Sequence, residues 1–200
     1  MIDWNAYRTA YDGMSFADVV AFHDKVWDKH PVQEHYSPAH LAAFFADLGG
    51  RVLEVGGWRG EAARQILSTT DIIRWDNYEI CRGAAESPVT DDPRYRSIHP
   101  TDWPWLLPVG DYEVAVLAHV IEHIRANQLA LLVGWLEQNG VENVYVESPL
   151  RDIGRSWRGQ SSAHVLEIGW PEVTRIFARS GYRVDSRDSA AHGEVLCLRR

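Results

Sequence analysis

Two cysteines, Cys81 and Cys197, are all that this 200-residue chain carries. That is too few for the disulfide framework of a small secreted scaffold, so a reducing, cytoplasmic setting is expected. No apolar run approaches the roughly 18 residues that a membrane span requires, and no membrane partner is expected. The stretch from Met1 to Asn5 has no basic segment leading into an apolar one, so no signal peptide is expected. Positive charge is also short. Lysine and arginine total 20 against 28 acidic residues, a net charge of -8. An indifferent grip on DNA or RNA draws its affinity from neutralising phosphates, and this balance argues against it without excluding a local basic patch. Repeats and low-complexity segments are missing as well.

What remains suits one soluble domain with a sizeable core: hydrophobic residues make up 46% and charged residues 24% of the chain. Nine tryptophans and nine histidines stand out, and core and rim packing accounts for them in the simplest way. The organising stretch runs from Val52 to Leu67. Val52, Leu53 and Val55 form an apolar run of buried-strand length. Gly56 and Gly57 then break it, and from Gly60 onward Ala63, Ile66 and Leu67 follow helical spacing. Strand, glycine turn and helix in that order aim backbone N–H groups past the strand's end. Glu54 sits inside the apolar run, where a carboxylate is costly unless paired or near water.

Residues 1–14 show no period. Ser15 reads as a helix N-cap with Asp18 three positions on, and Phe16, Val19, Val20, Val26 and Trp27 share a face until His30-Pro31. Ser37 caps a second helix with Pro38 at its first position. Leu41, Phe44, Phe45 and Leu48 fit its inner face, and Gly49-Gly50 ends it. The connector Gln33 to Tyr36 reads as a plain loop, or as a segment beside the expected ligand pocket. Beyond the organising stretch, strands are expected at Asp71–Ile80, at Tyr95–His99 on an edge, at Asp111–His119 and at Val141–Glu147. Helices follow, one with Leu129, Leu132, Val133 and Leu136 on its face and one with Val173, Ile176 and Phe177. Tyr182–Arg187 and Glu194–Arg199 pair as a hairpin. Alternating strands and helices imply a parallel sheet whose ligand lies beyond the strands' carboxyl ends. The expected architecture is α/β and doubly wound: a mostly parallel, seven-stranded sheet with a C-terminal antiparallel hairpin. An N-terminal helical cap (1–48) precedes the α/β core (49–200).

The segment E-x-G-G-W-R-G resembles the first motif of class I S-adenosylmethionine-dependent methyltransferases. Glu54, Gly56 and Gly60 match it. Trp58 stands where a middle glycine is usual, although some small-molecule O-methyltransferases carry an aromatic residue there. The run Tyr78-Glu-Ile-Cys81 resembles the second motif, whose acid holds the cofactor's ribose; Glu79 is that acid. Pro100 to Trp105 resembles the segment that meets the adenine, with Asp102 for the amine and Trp103 against the ring. D-Y-E-V-A-V-L-A-H-V-I-E-H-I, from Asp111 to Ile124, is the most specific match. The resemblance spans about residues 37–200. It implies that S-adenosyl-L-methionine is the cofactor, that Gly57 joins Glu54, Gly56 and Gly60 around the methionine part, and that His119 belongs to the same site.

Methyl transfer from a sulfonium needs alignment and exclusion of water more than an obligatory catalytic group. A hydroxyl acceptor would gain from a general base, and His123 and His164, just past strand ends, are the candidates. The expected function is methylation of a small-molecule acceptor on oxygen or nitrogen. Two alternatives accompany it. The pattern H-x-x-E-H, with a later H-x-x-E-x-x-W, resembles the metal site of enzymes that 2′-O-methylate the 3′ end of small RNAs. His119, Glu122, His123 and His164 would then hold a divalent metal, with His119 replacing the glutamate of those enzymes. Or the domain binds S-adenosylmethionine without turnover. Arg151, Arg155 and Arg158, in a long loop, could hold an anionic substrate or merely be solvated.

Overall fold

The computed structural model describes residues 4–27, 36–100, 110–150, 164–190 and 193–200. Asp102, Trp103 and the three loop arginines lie outside the described residues.

Seven strands form one sheet in the order β3-β2-β1-β4-β5-β7-β6. They are β1 (Gly50–Val55), β2 (Ile72–Tyr78), β3 (Tyr95–Ile98), β4 (Val114–Ala118), β5 (Asn143–Ser148), β6 (Arg183–Ala190) and β7 (Gly193–Arg199). The first five run parallel. β7 is antiparallel to both β5 and β6, so the expected closing hairpin is present, with a shorter connection than its sequence spacing suggested. The strand order reverses at β1, where the chain leaves toward β2 and later returns on the other side as β4. Crevices at such a reversal are where open α/β sheets take ligands.

β4 reads Val-Ala-Val-Leu-Ala and is buried along its whole length. A central strand covered on both faces tolerates only apolar side chains. One face carries α6 (Ala126–Gln138) and α7 (Trp170–Arg179), whose Leu129, Leu132, Val133, Leu136, Val173 and Phe177 pack on Leu53, Leu117 and Val146. The other carries α3 (Pro38–Phe44) and α4 (Glu61–Leu67), with Leu41, Phe45, Ala63 and Ile66 against Val52, Val116 and Tyr145. Each buried aliphatic or aromatic side chain contributes about 1.5–3 kcal/mol of transfer free energy, so these two layers hold the sheet.

Two segments cap the N-terminal side: α1 (Trp4–Ala10), continued by a short 3-10 turn, and α2 (Phe16–Trp27). The expected cap of α2 is present. Asp18 N–H donates to Ser15 Oγ at 3.2 Å, and Ser15 N–H donates to Asp18 Oδ2 at 3.0 Å. Tyr7, Tyr11 and Val19 bury themselves against Val165. Arg125 ties this cap down. Its guanidinium reaches Asp12, Glu167 and the Val165 carbonyl, and lies over the Tyr11 ring. α5 (Arg82–Ala85) is a single turn after β2, with the Arg82 amide donating to Asp24 of α2 at 2.8 Å. No helix among the described residues is long and apolar enough to cross a membrane. Cys81 and Cys197 are both free thiols.

Candidate active site

The turn after β1 is built by glycine geometry, by Asn77 of β2 and by Glu79, which follows that strand. Gly56 and Gly60 adopt φ of 70° and 82°, a region glycine enters without the penalty of a Cβ. Gly57 is needed for a different reason. A Cβ there would lie 2.1 Å from the carboxyl carbon of Glu54, so only glycine lets the turn close over that acid. Trp58 takes a positive φ of 51°, strained for a residue with a side chain. Asn77 of β2 staples the turn. Its Oδ1 accepts the Gly57 amide at 2.9 Å, and its Nδ2 donates to the Trp58 carbonyl and to the Tyr95 hydroxyl, both at 3.0 Å.

The sequence pattern put free amides at this turn; in the structure the chain consumes them. Gly56 N–H donates to the Tyr78 carbonyl, Gly60 N–H to the Gly57 carbonyl and Trp58 N–H to Glu79 Oε2. Buried amides do not stay unpaired when a partner is in reach.

Glu54 and Glu79 come together at neighbouring strand ends. Both are buried, at 1% and 2% exposure. Glu54 Oε2 accepts the Trp75 indole N–H at 2.8 Å. Burial pushes its carboxyl up to about 8, against the lowering effect of that bond, and the charges of Glu61 and Glu79 push the same way. Glu79 Oε1 accepts the Cys81 amide at 2.7 Å and Oε2 the Trp58 amide at 2.8 Å. Burial raises Glu79 to about 7 despite both bonds. Beside Glu54 lies a hollow of about 10 Å³, the room of one water molecule. Tyr36, Gly56, Gly57, Trp58, Glu61, Ala62 and Ala118 line it with Glu54. Tyr36 therefore stands where the 33–36 connector was expected; Gln33 to His35 lie outside the described residues.

A second cluster follows β4 and precedes α7. His119, at φ 54°, sets its Nδ1 3.1 Å from Glu122 Oε1. Burial alone would depress its pKa, but the bond and charge of Glu122, with the charge of Glu147, leave it raised. Glu122 is fully buried and accepts the Ser148 hydroxyl at 2.9 Å through Oε2. Burial works against its ionisation, yet the His119 bond and the surrounding imidazoles hold it well below the usual carboxylate range. The Glu122 carbonyl accepts the amides of Val165 and Leu166, which brings His164 alongside. His123 and His164 pack edge to face with centroids 4.9 Å apart, and His23 of α2 lies 5.9 Å from His123 on the other side. Burial, then the neighbouring His123, keeps His164 and His23 at about 3, so both rings are neutral near pH 7. One ligand atom each from Glu122, His123 and His164 lie within 4.8 Å of one another, a carboxylate-plus-imidazole donor set suited to a divalent transition metal. His119 stands outside that group, as the partner that orients Glu122.

Of the residues singled out from sequence, Glu54, Gly56, Gly57, Gly60 and Glu79 meet at one turn, and His119, His123 and His164 meet at the second cluster. Asn77, Trp75, Glu61 and His23 were missed. An amide two residues before Glu79, near the end of the strand, was the one available signal for Asn77. The others are ordinary residues in sequence and acquire a place only through packing.

No protein-family model and no curated protein matches the sequence. Solved structures do. The neocarzinostatin-biosynthesis O-methyltransferase NcsB1, crystallised with S-adenosyl-L-homocysteine and 1,4-dihydroxy-2-naphthoic acid, superposes with a TM-score of 0.68 at 17% identity, covering 94% of this chain and 62% of its own. Mitomycin 7-O-methyltransferase gives 0.62 at 16% identity, covering 94% and 61%. This chain thus spans about three fifths of the length of each of those two enzymes. The methyltransferase domain of a bacterial Hen1 gives 0.59 at 15% identity, covering 82% and 97%. With the strand order and the closing hairpin, these likenesses establish that the chain has the fold of the class I S-adenosylmethionine-dependent methyltransferases.

Proposed function

We propose that this protein is a methyltransferase that draws its methyl group from S-adenosylmethionine and delivers it to oxygen or nitrogen of a small molecule. The observation that carries the reading is the meeting of two buried carboxylates, Glu54 and Glu79, with one glycine turn where the sheet reverses. The site's chemistry fits the cofactor. The charges of Glu61 and Glu79 raise the proton affinity of Glu54, that of Glu61 also raises Glu79's, and a cationic ligand relieves that repulsion. When bound, the cofactor supplies a methyl group on a positively charged sulfur. The chain's part is to hold and to shield. Glu54, Gly56, Gly57 and Gly60 surround the methionine end, Glu79 takes the ribose with its remaining lone pairs, and Asp102 and Trp103 take the adenine. His119, His123 and His164 face the acceptor. NcsB1, with its dihydroxynaphthoic acid, is the neighbour that favours a small acceptor.

Calorimetric titration with S-adenosylmethionine tests the reading directly. Binding to the wild type is expected, with Glu79→Ala weakening it by about 1–3 kcal/mol, the worth of charge-assisted hydrogen bonds. No heat at high cofactor concentration rejects the proposal.

The Glu122–His123–His164 donor set favours a second reading, in which those three residues hold a divalent metal that acidifies an acceptor hydroxyl. The H-x-x-E-H resemblance to enzymes that methylate the 3′ end of small RNAs raises an RNA 3′ end as acceptor, while the net charge of -8 counts against RNA. Methyl-transfer assays on metabolite and small-RNA pools, with chelator and with added manganese or zinc, separate the two. Transfer indifferent to chelator removes the metal.

A further inference from the structure

The hollow beside β1 is walled by acid and by aromatic rings. Glu54 enters it from the strand, and among the described residues only its Oε2 makes a hydrogen bond, to Trp75. Glu61 enters it from the first residue of α4, with Oε2 accepting the Arg59 amide at 3.2 Å. Tyr36 and Trp58 supply the rings. Among the described residues, no lysine or arginine lines it. The neighbouring Arg59 guanidinium is directed at the Ser87 carbonyl, its Nε donating at 2.7 Å. The charges of Arg59 and Arg64 favour the ionised form of Glu61, while burial disfavours it more strongly. A buried and a half-buried carboxylate set against ring faces, in a lining whose described residues carry no positive charge, suit an organic cation better than a neutral molecule of the same shape.

We infer that Glu61, together with Glu54, makes this hollow prefer the charged methyl donor over its neutral product. The inference rests on the S-adenosylmethionine reading above and adds a residue that reading does not use. Transfer breaks the sulfur–methyl bond and leaves its electron pair on sulfur. The acceptor forms a bond to the methyl carbon and releases its proton, and the sulfonium becomes a neutral thioether. The attraction of Glu54 and Glu61 for the occupant therefore falls with each turnover, which favours exchange of product for donor.

The test compares S-adenosylmethionine, S-adenosylhomocysteine and sinefungin, an amine analogue that keeps the charge without the sulfonium. Dissociation constants are measured on the wild type, on Glu61→Gln and on Glu142→Gln, an exposed acid at the opposite, amino-terminal rim of the sheet. In Glu61→Gln the preference for donor over product is expected to fall by roughly threefold to tenfold, as the loss of one nearby charge implies. Weaker binding of the donor and sinefungin carries that change, with product affinity unchanged. Glu142→Gln should leave the preference as it is, and equal melting curves show that the variants fold. If Glu61→Gln weakens donor and product alike, or neither, the role of Glu61 is refuted while the cofactor reading stands. If the wild type binds none of the three, the cofactor reading itself fails.

Discussion

Ser37 gives both its hydroxyl and its amide to the carboxylate of Glu147, at 2.6 Å to Oε1 and 2.8 Å to Oε2, across 110 positions of chain. Ser37 was expected to cap α3 through its side chain. It precedes the helix as predicted, but its hydroxyl is spent on β5 instead. Glu147 also accepts the Tyr145 hydroxyl at 2.7 Å and is itself fully buried. One carboxylate thus pins the start of α3, and with it the adjacent Tyr36 at the hollow, to the middle of the sheet.

Replacing Glu147 with Ala leaves the buried Ser37 and Tyr145 donors without an acceptor. The expected cost is about 2–4 kcal/mol, read as a lowered midpoint in urea unfolding. Cofactor affinity should fall too, because Tyr36 loses its anchor. An unchanged midpoint would mean that water replaces the carboxylate at no cost.

Glu54 makes stability depend on pH in a definite direction. Its folded pKa of about 8 lies above the roughly 4.3 of an unfolded glutamate, so the folded state holds the proton more tightly. Stability is then greatest below pH ~4.3 from this group and declines as pH rises toward 8, beyond which the loss is complete. Glu54→Gln keeps an acceptor for the Trp75 indole and removes the titration. At pH 9 it should be more stable than the wild type by about 1–3 kcal/mol, with the advantage gone at pH 5. Thermal unfolding at the two pH values checks this, and an advantage of equal size at both would show that packing, not ionisation, is responsible.

Trp58 holds a positive φ and walls a hollow with room for one water. Its indole is one of the two rings that face the occupant in the reading above. Trp58→Gly accepts the backbone conformation without strain and removes that ring. S-adenosylmethionine should bind to it more weakly, by roughly twofold to tenfold, the worth of one cation–ring contact. Equal or tighter binding would show that the indole is no contact for the ligand.

Local pattern was enough for most of the elements. Val52 to Leu67 could only read as strand, glycine turn and helix, because three apolar residues, two glycines and a helical spacing follow one another without ambiguity. Boundaries were less legible: Asp71–Ile80 shrank to Ile72–Tyr78, and Asp111–His119 to Val114–Ala118, since hydrogen bonding to neighbours, not hydropathy, ends a strand.

The candidate site divides in the same way. That Glu54, Gly56, Gly60 and Glu79 share a rim followed from strand ends and motif spacing, which are properties of short segments. That Asn77 consumes the Gly57 amide, that Ser37 serves Glu147 and that His23 lies beside His123 did not, since each joins segments between 20 and 110 positions apart. Sequence determined which groups were present and on which element. Packing decided which of them met, because a buried donor takes whichever acceptor the folded chain brings within about 3 Å.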